Sequence, residues 1–308
     1  MSELSQNVYT FSKSKLIDMK KHYESCLEKN PQGSVFRART PYAVITAYKS
    51  GKVLFQGENP DIEIIKWTTK NKESAKNIGT SKTLALDKVL TGTHIGSDES
   101  GTGDYFGPVT AAAVFVTESQ ISKLKNLGIQ DSKLIKDDVI LKLSKQIVEM
   151  KIPYSLLVLH NEKYNQLQNS GWSQGKMKAM LHHHVINNVI NKTNGHTFEG
   201  IVIDQFCLPQ VYKKYLASES EFIHPQTYFM TKAEHHSVAV ATASVIARAS
   251  FLKEMDKLST MSGFTLLKGA SKKVDQLIAK VIQDKGTTYL KKIAKVHFVN
   301  TEKAQNYL

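Results

Sequence analysis

The period of apolar and polar positions changes along the chain. Over residues 12–29, Leu16, Met19, Tyr23 and Leu27 recur three or four apart, which predicts a helix ended by Asn30-Pro31-Gln32-Gly33. Strand-like runs follow at 35–38, 42–48 and 52–56, of which the last two alternate. The last two join through Lys49-Ser50-Gly51, a hairpin signal. A closing helix is expected over 61–67. Residues 69–90 are Lys-rich and poor in apolar positions, as linkers are. Beyond His94, strand patterns (95–98, 109–116, 154–159, 200–204, 227–230) alternate with helix patterns (118–127, 137–150, 173–191, 210–216, 238–258, 274–283, 289–299). The expectation is a small α+β domain over 1–68, a linker over 69–90, and an α/β domain over 91–308 whose mixed sheet is flanked by helices.

Composition narrows the setting. A 308-residue chain with 41% hydrophobic residues can build one large core or two smaller ones. Residues 1–7 are polar and no apolar run approaches a membrane span, so neither a signal peptide nor membrane association is expected. Cys26 and Cys207 lie far apart, and no Cys/His pairing suits zinc. A reducing, cytoplasmic setting follows as the expectation. The net charge of +13 suits a polyanionic partner, nucleic acid first and an anionic membrane second. The positive charge is denser over residues 1–90, with 15 Lys/Arg against 9 Asp/Glu. In the hairpin region Arg37, Arg39, Tyr42, Tyr48, Lys49 and Lys52 mix cations with aromatics. Such a surface grips a sugar-phosphate backbone, and an ordinary exposed hairpin carries the same residues.

Candidate chemistry centres on the stretch 94–108, His-Ile-Gly-Ser-Asp-Glu-Ser-Gly-Thr-Gly-Asp-Tyr-Phe-Gly-Pro. Asp98 and Glu99 follow a short apolar approach and precede a loop with three glycines. Adjacent acids at a strand end repel, and a hard cation would remove the conflict. The alternative is a solvated acidic turn. Asp204 closes a second apolar strand, and ligands gather at such strand ends in α/β sheets. It would equally serve as a cap for the following helix. Glu234 precedes a helix on which Ala239, Ala243 and Ala247 form a small face able to approach a sheet closely. Acids also favour helix N-termini for dipole reasons alone. His235 and His236 would sit at the rim, and Asp131-Ser132-Lys133 with Lys136 would reach substrate phosphates or lie on the surface. His182-His183-His184 lies within a helix and points three ways, against a metal site, whose ligands on one helix face recur every three or four residues.

Taken in order, these segments resemble the type 2 ribonuclease H family, and within it the ribonuclease HIII branch. Ser97-Asp98-Glu99-Ser100-Gly101-Thr102-Gly103 followed by Asp104-Tyr105-Phe106-Gly107-Pro108 is similar to the opening motif of that branch; its sibling, ribonuclease HII, carries Gly-Arg-Gly in the loop. Asp131-Ser132-Lys133 and Ala243-Ser244-Val245-Ile246-Ala247-Arg248 match two further motifs, and the resemblance covers residues 94 to about 300. Residues 1–68 more loosely resemble the extra N-terminal domain of the branch, a fold similar to the TATA-binding protein.

The resemblance implies a ribonuclease H-like fold and an endonuclease that hydrolyses the RNA strand of RNA–DNA hybrids, leaving 5′-phosphate and 3′-hydroxyl ends. It implies four site acids: Asp98, Glu99, Asp204 and, ten residues before Ser244, Glu234. They would bind two Mg²⁺ ions, with Mn²⁺ as the alternative, about 4 Å apart, Asp98 being shared. Backbone groups of Gly101, Thr102 and Gly103 would contact the 2′-OH, Ser132 and Lys133 the substrate, and residues 1–68 the hybrid backbone. A monomer is the family-like expectation. Lys268-Gly269-Ala270 stands where ribonuclease HII carries a Lys-Gly-Tyr motif that senses an RNA–DNA junction, which favours cleavage within longer RNA tracts. The rivals are ribonuclease HII-like incision at single ribonucleotides and a non-catalytic hybrid-binding protein. A P-loop module is disfavoured because no Gly-Lys-Ser/Thr is present.

Overall fold

The structure, a computed structural model, describes residues 5–40, 42–57, 60–68, 85–129 and 135–308. The chain divides into two compact units, residues 1–82 and 83–308.

In the smaller unit β1 (Ser5–Thr10), β2 (Leu27–Glu28), β3 (Ser34–Arg39), β4 (Val44–Tyr48) and β5 (Lys52–Gly57) form an antiparallel sheet in the order β1-β5-β4-β3-β2. Alternation along β3, β4 and β5 sends Phe36, Ala38, Ile45, Ala47, Val53 and Phe55 to one face. There α1 (Lys13–His22) and α2 (Asp61–Thr68) cover them with Leu16, Met19 and Ile64. The first helix stops at His22 and does not reach residue 29. Tyr23 turns into the core, where its hydroxyl donates to Glu63 Oε2 at 2.7 Å and accepts from Trp67 Nε1 at 2.8 Å. Leu27 then pairs with Ala38 as a strand residue, so its helical spacing is incidental. No sequence signal marks β1, whose partner is the backbone of β5. Of the candidate grip residues, Arg37 and Arg39 share the carboxylate of Glu28, and Tyr42 is exposed.

The larger unit begins with α3, over residues 85–91, which occupies the end of the expected linker. It is helical because Val89 is buried against Val202, Ala233 and Val240. Five strands follow: β6 (His94–Ser100), β7 (Val109–Val116), β8 (Tyr154–Leu159), β9 (Gly200–Asp204) and β10 (Thr227–Met230). Their order is β10-β9-β6-β7-β8, with β9 parallel to both β6 and β10 and β7 antiparallel to its neighbours. This is the mixed sheet that the alternation predicts.

The helices are α4 (Glu118–Asn126), α5 (Asp137–Glu149), α6 (Asn161–Asn169), α7 (Gln174–Lys192), α8 (Pro209–Ala217), α9 (Val238–Ser262), α10 (Lys272–Lys285) and α11 (Thr287–Ile293). Both faces of the sheet are covered, with α9 and α5 in one core and α7 and α8 in the other, so every residue of β7 is buried. The polar helix α6 has little apolar period; its buried Asn161 and Asn165 hold carbonyls of Gly107, Lys291 and Ala294. The expected helix over 289–299 ends at Ile293, because Ala294 pairs with Phe106 as an isolated β-bridge. Among the described residues no helix is long and apolar enough to cross a membrane.

Gly96 sets the distance between sheet and helix. A Cβ there would press into the backbone of Ala239 and Val240 and lie 2.8 Å from the Ala239 methyl. Ala239, Ala243 and Ala247 are fully buried, so the small face expected of this helix is the face that meets the sheet.

Candidate active site

Successive side chains of a strand point to opposite faces, and in β6 this separates the two adjacent acids. Ser97 and Glu99 point towards α7, while Asp98 points towards α9, where the Ser244 hydroxyl hydrogen-bonds its carboxyl. The Glu99 amide also donates to Asp98 Oδ1 at 2.8 Å. The strand does not end at Asp98. It runs to Ser100, because β7 continues the pairing with Ala112 opposite Asp98 and Ala111 opposite Glu99.

Asp204 is the last residue of β9. The parallel register sets Ser97 level with Ile203, so Asp98 and Asp204 follow side by side on adjacent strands. Asp98 is only 5% exposed. Burial, and then the charges of Glu99 and Asp204, push its carboxyl well above the usual carboxylate range.

The carboxylate of Glu99 is held from α7. Lys178 Nζ lies 2.7 Å from Oε1 and His182 Nε2 lies 2.7 Å from Oε2. Burial opposes the charge of Glu99, yet His182 and Lys178 together hold its carboxyl down at about 2. Ser97 gives its hydroxyl proton to the Ala112 carbonyl at 2.9 Å, so it accepts from His182 Nδ1 at 2.7 Å and leaves Nε2 facing Glu99. Phe206 stacks on the His182 ring and lies 4.0 Å beneath the Lys178 ammonium. The three consecutive histidines do point different ways. His182 meets Glu99, His183 meets Glu221, and His184 is exposed. Sequence reasoning missed Lys178 and His182, and the only signal was their i, i+4 spacing on one helix.

Glu234 lies in the single turn Ala233–His235 before α9 and is buried. The amide of the preceding Ala233 donates to Asp204 Oδ1 at 2.9 Å, which ties this turn to the end of β9. His235 Nε2 is 3.7 Å from Glu234 Oε1, and His236 is exposed.

The Gly-rich loop follows β6. Gly101 has φ +88°, and a Cβ there would meet the Phe251 ring at 2.7 Å, so glycine is required by both backbone and packing. Gly103 faces open space, with nothing within 4 Å of where its Cβ would be. The Thr102 carbonyl accepts from Gln174 Nε2 at 3.0 Å. Asp131, Ser132 and Lys133 lie outside the described residues.

Oxygen donors in a crowded acidic site suit a hard divalent cation, which would relieve the crowding of charge at Asp98. Among the described residues no three His, Cys, Asp or Glu side chains converge into a ready-made cage.

A family model described as Ribonuclease HII matches residues 95–301, and one described as Domain of unknown function (DUF3378) matches residues 6–79. Ribonuclease HIII of Oceanobacillus iheyensis is 53% identical, covering 99% of this chain and all of that protein. Ribonuclease HIII of Bacillus subtilis is 46% identical over 98% of this chain and 97% of that protein. Among solved structures, Bst-RNase HIII in complex with Mn²⁺ superposes with a TM-score of 0.70 at 39% identity, covering 98% of each chain. RNase H3 of Aquifex aeolicus shares the fold, with a TM-score of 0.56 at 21% identity over 94% of this chain and 99% of that one. By fold, motif order and relatives alike, the chain belongs to the ribonuclease HIII family of type 2 ribonucleases H, endoribonucleases that cut the RNA strand of RNA–DNA hybrids.

Proposed function

We propose that Asp98, Glu99, Asp204 and Glu234 carry this cleavage with two divalent ions, Mg²⁺ with Mn²⁺ as substitute. The observation that carries the reading is the pair Asp98 and Asp204, side by side on parallel strands with the Asp98 carboxyl held against its ordinary titration. Asp98 would be the shared ligand, and Asp204 and Glu234 would hold one flank from β9 and the turn tied to it. Glu99, fixed from α7, completes the set directly or through water. Ions bound there would supply activation of the attacking water and stabilisation of the leaving 3′ oxygen, so that cleavage leaves 5′-phosphate and 3′-hydroxyl ends.

The loop supplies the choice of RNA. Gly103 leaves room for a ribose to approach the main chain, and backbone groups of Gly101, Thr102 and Gly103 then meet the 2′-OH. The smaller unit grips the hybrid backbone, and Ser132 and Lys133 contact the substrate beside the site. The chain acts as a cytoplasmic monomer.

Incision at single ribonucleotides is the second reading. Against it, Gly269 is bound twice to the Gly-rich loop. Its amide donates to Asp104 Oδ1 at 2.6 Å and its carbonyl accepts from the Tyr105 amide at 3.0 Å. Ala270 beside it is exposed and offers no ring for a junction. Cleavage of a long RNA tract far faster than of a single embedded ribonucleotide would support the tract reading, and equal rates would reject it. Asp98→Asn should abolish hybrid cleavage and leave hybrid binding largely intact. Undiminished Mg²⁺-dependent cleavage by that variant would remove Asp98 from the site.

A further inference from the structure

Lys295 is the one lysine in the buried core of the described residues, with no exposed surface. Among those residues its ammonium faces no carboxylate at hydrogen-bond distance. It donates instead to two main-chain carbonyls, of Asp104 at 2.8 Å and of Gly107 at 2.6 Å. These two carbonyls bracket the second half of the Gly-rich loop. The Lys295 amide donates to the Tyr105 carbonyl between them at 2.9 Å, and the Gly107 amide donates to Ile293 at 2.9 Å. Asn161 adds a second donor to Gly107 at 2.8 Å.

The clamp reaches the first half of the loop through aromatic contacts. Tyr164 lies 5.9 Å beneath the Lys295 ammonium, with His297 stacked on it. The Tyr164 hydroxyl accepts from Gln174 Nε2 at 3.1 Å, and the same amide group donates to the Thr102 carbonyl. A buried ammonium resting on neutral acceptors is costly. Burial pulls Lys295 down to about 7, against the opposing charge of Asp104. The ammonium bears that cost while holding two main-chain carbonyls of the loop in place. The cost falls on the Gly-rich loop that is proposed to meet the ribose.

We propose that Lys295 is a positioning residue for RNA selection: its grip on the Asp104 and Gly107 carbonyls sets the backbone of Gly101–Gly103 at the ribose. This rests on the proposed 2′-OH contact of that loop. Lys295 itself touches no substrate. It acts by fixing the far limb of the loop, while Gln174 fixes the near one.

The test couples the residue to the group it is held to read. Wild-type enzyme and Lys295→Met are compared in single-turnover cleavage of an RNA–DNA hybrid and of hybrids with one 2′-deoxy substitution scanned around a defined cut. Wild type should lose about tenfold or more at its most sensitive position, as sites built around a hydroxyl do. In Lys295→Met that penalty should shrink to about twofold, with the all-RNA rate down about tenfold and KM within about twofold, the signature of an interaction made in the transition state. If wild type shows no 2′-deoxy penalty at any position, the loop does not read the hydroxyl and the proposed 2′-OH contact itself fails. If wild type shows it and Lys295→Met keeps the same factor, the positioning role is overturned while the loop's contact stands. Lys295→Gln, which retains an N–H able to reach one carbonyl, is judged by the same ratio should the methionine variant not fold. Failure of both to fold would make Lys295 a folding residue and end the proposal.

Discussion

Glu99 Oε2 lies 2.7 Å from His182 Nε2, across 83 residues of sequence, and both side chains are nearly or fully buried. The pair fixes Glu99 on the α7 face of the sheet before any substrate arrives. His182→Ala should therefore cost both order at the site and stability. The Glu99 carboxyl titrates near 2 in the folded chain against an ordinary 4.5, so its contribution is complete above 4.5 and is lost as pH falls towards 2. Denaturant unfolding in metal-free buffer should show the variant about 1–3 kcal/mol less stable at neutral pH. The gap should narrow as pH drops below 4.5. A gap that stays constant through that range would mean that His182 contributes packing and no charge pairing.

Asp98 titrates in the opposite direction. Its folded carboxyl lies above the ordinary 3.8, so the folded chain holds a proton that the unfolded chain has released. Stability therefore falls as pH rises from 3.8 through the folded value. A divalent cation takes the place of that proton. Thermal unfolding with and without MgCl₂ should show a larger gain at pH 8 than at pH 5, by several degrees if the ion contributes about 1–2 kcal/mol. Asp98→Asn should melt higher than wild type without metal and gain little from Mg²⁺. A Mg²⁺ gain that is unchanged by the substitution would place the cation elsewhere.

How much of this site the sequence reveals depends on what holds each part. Asp98, Asp204 and the small face of α9 are legible because apolar runs and small residues mark buried strands and close helix approach. The adjacency of Asp98 and Glu99 conceals that a strand sends neighbours to opposite faces and that β6 runs past both. His182 is hidden among three histidines, of which only one has the phase to reach Glu99. The strand β1 and the helix α6 leave no apolar period because backbone pairing holds the first and buried asparagines anchor the second.

Two glycines of the same stretch should respond differently to a single methyl. Gly96→Ala drives a Cβ into the backbone of α9, where neither element can yield without separating helix from sheet. A loss of at least about 3 kcal/mol in chemical denaturation is expected. Gly103→Ala adds a methyl in open space and should leave stability within about 0.5 kcal/mol of wild type. Its hybrid cleavage should nevertheless fall about tenfold, because the methyl occupies the approach of the ribose. Normal cleavage by Gly103→Ala would show that substrate does not come close to this part of the loop.

The smaller unit carries much of the positive charge, although Arg37 and Arg39 are already paired with Glu28. Its contribution is therefore expected in affinity, through neutralised phosphates, and not in the chemical step. Deleting residues 1–82, the compact unit, leaves the four proposed site acids and the sheet that carries Asp98, Glu99 and Asp204 within residues 83–308. Binding titrations over a range of salt should show weaker hybrid affinity and a shallower salt dependence, the log–log slope falling by about one for each phosphate that the deleted unit had neutralised. Single-turnover cleavage at saturating enzyme should stay within about threefold of the full chain, since that rate reports only the bound complex. Retained affinity with a much lower saturating rate would place the smaller unit in the arrangement of the site and reject its role as a grip.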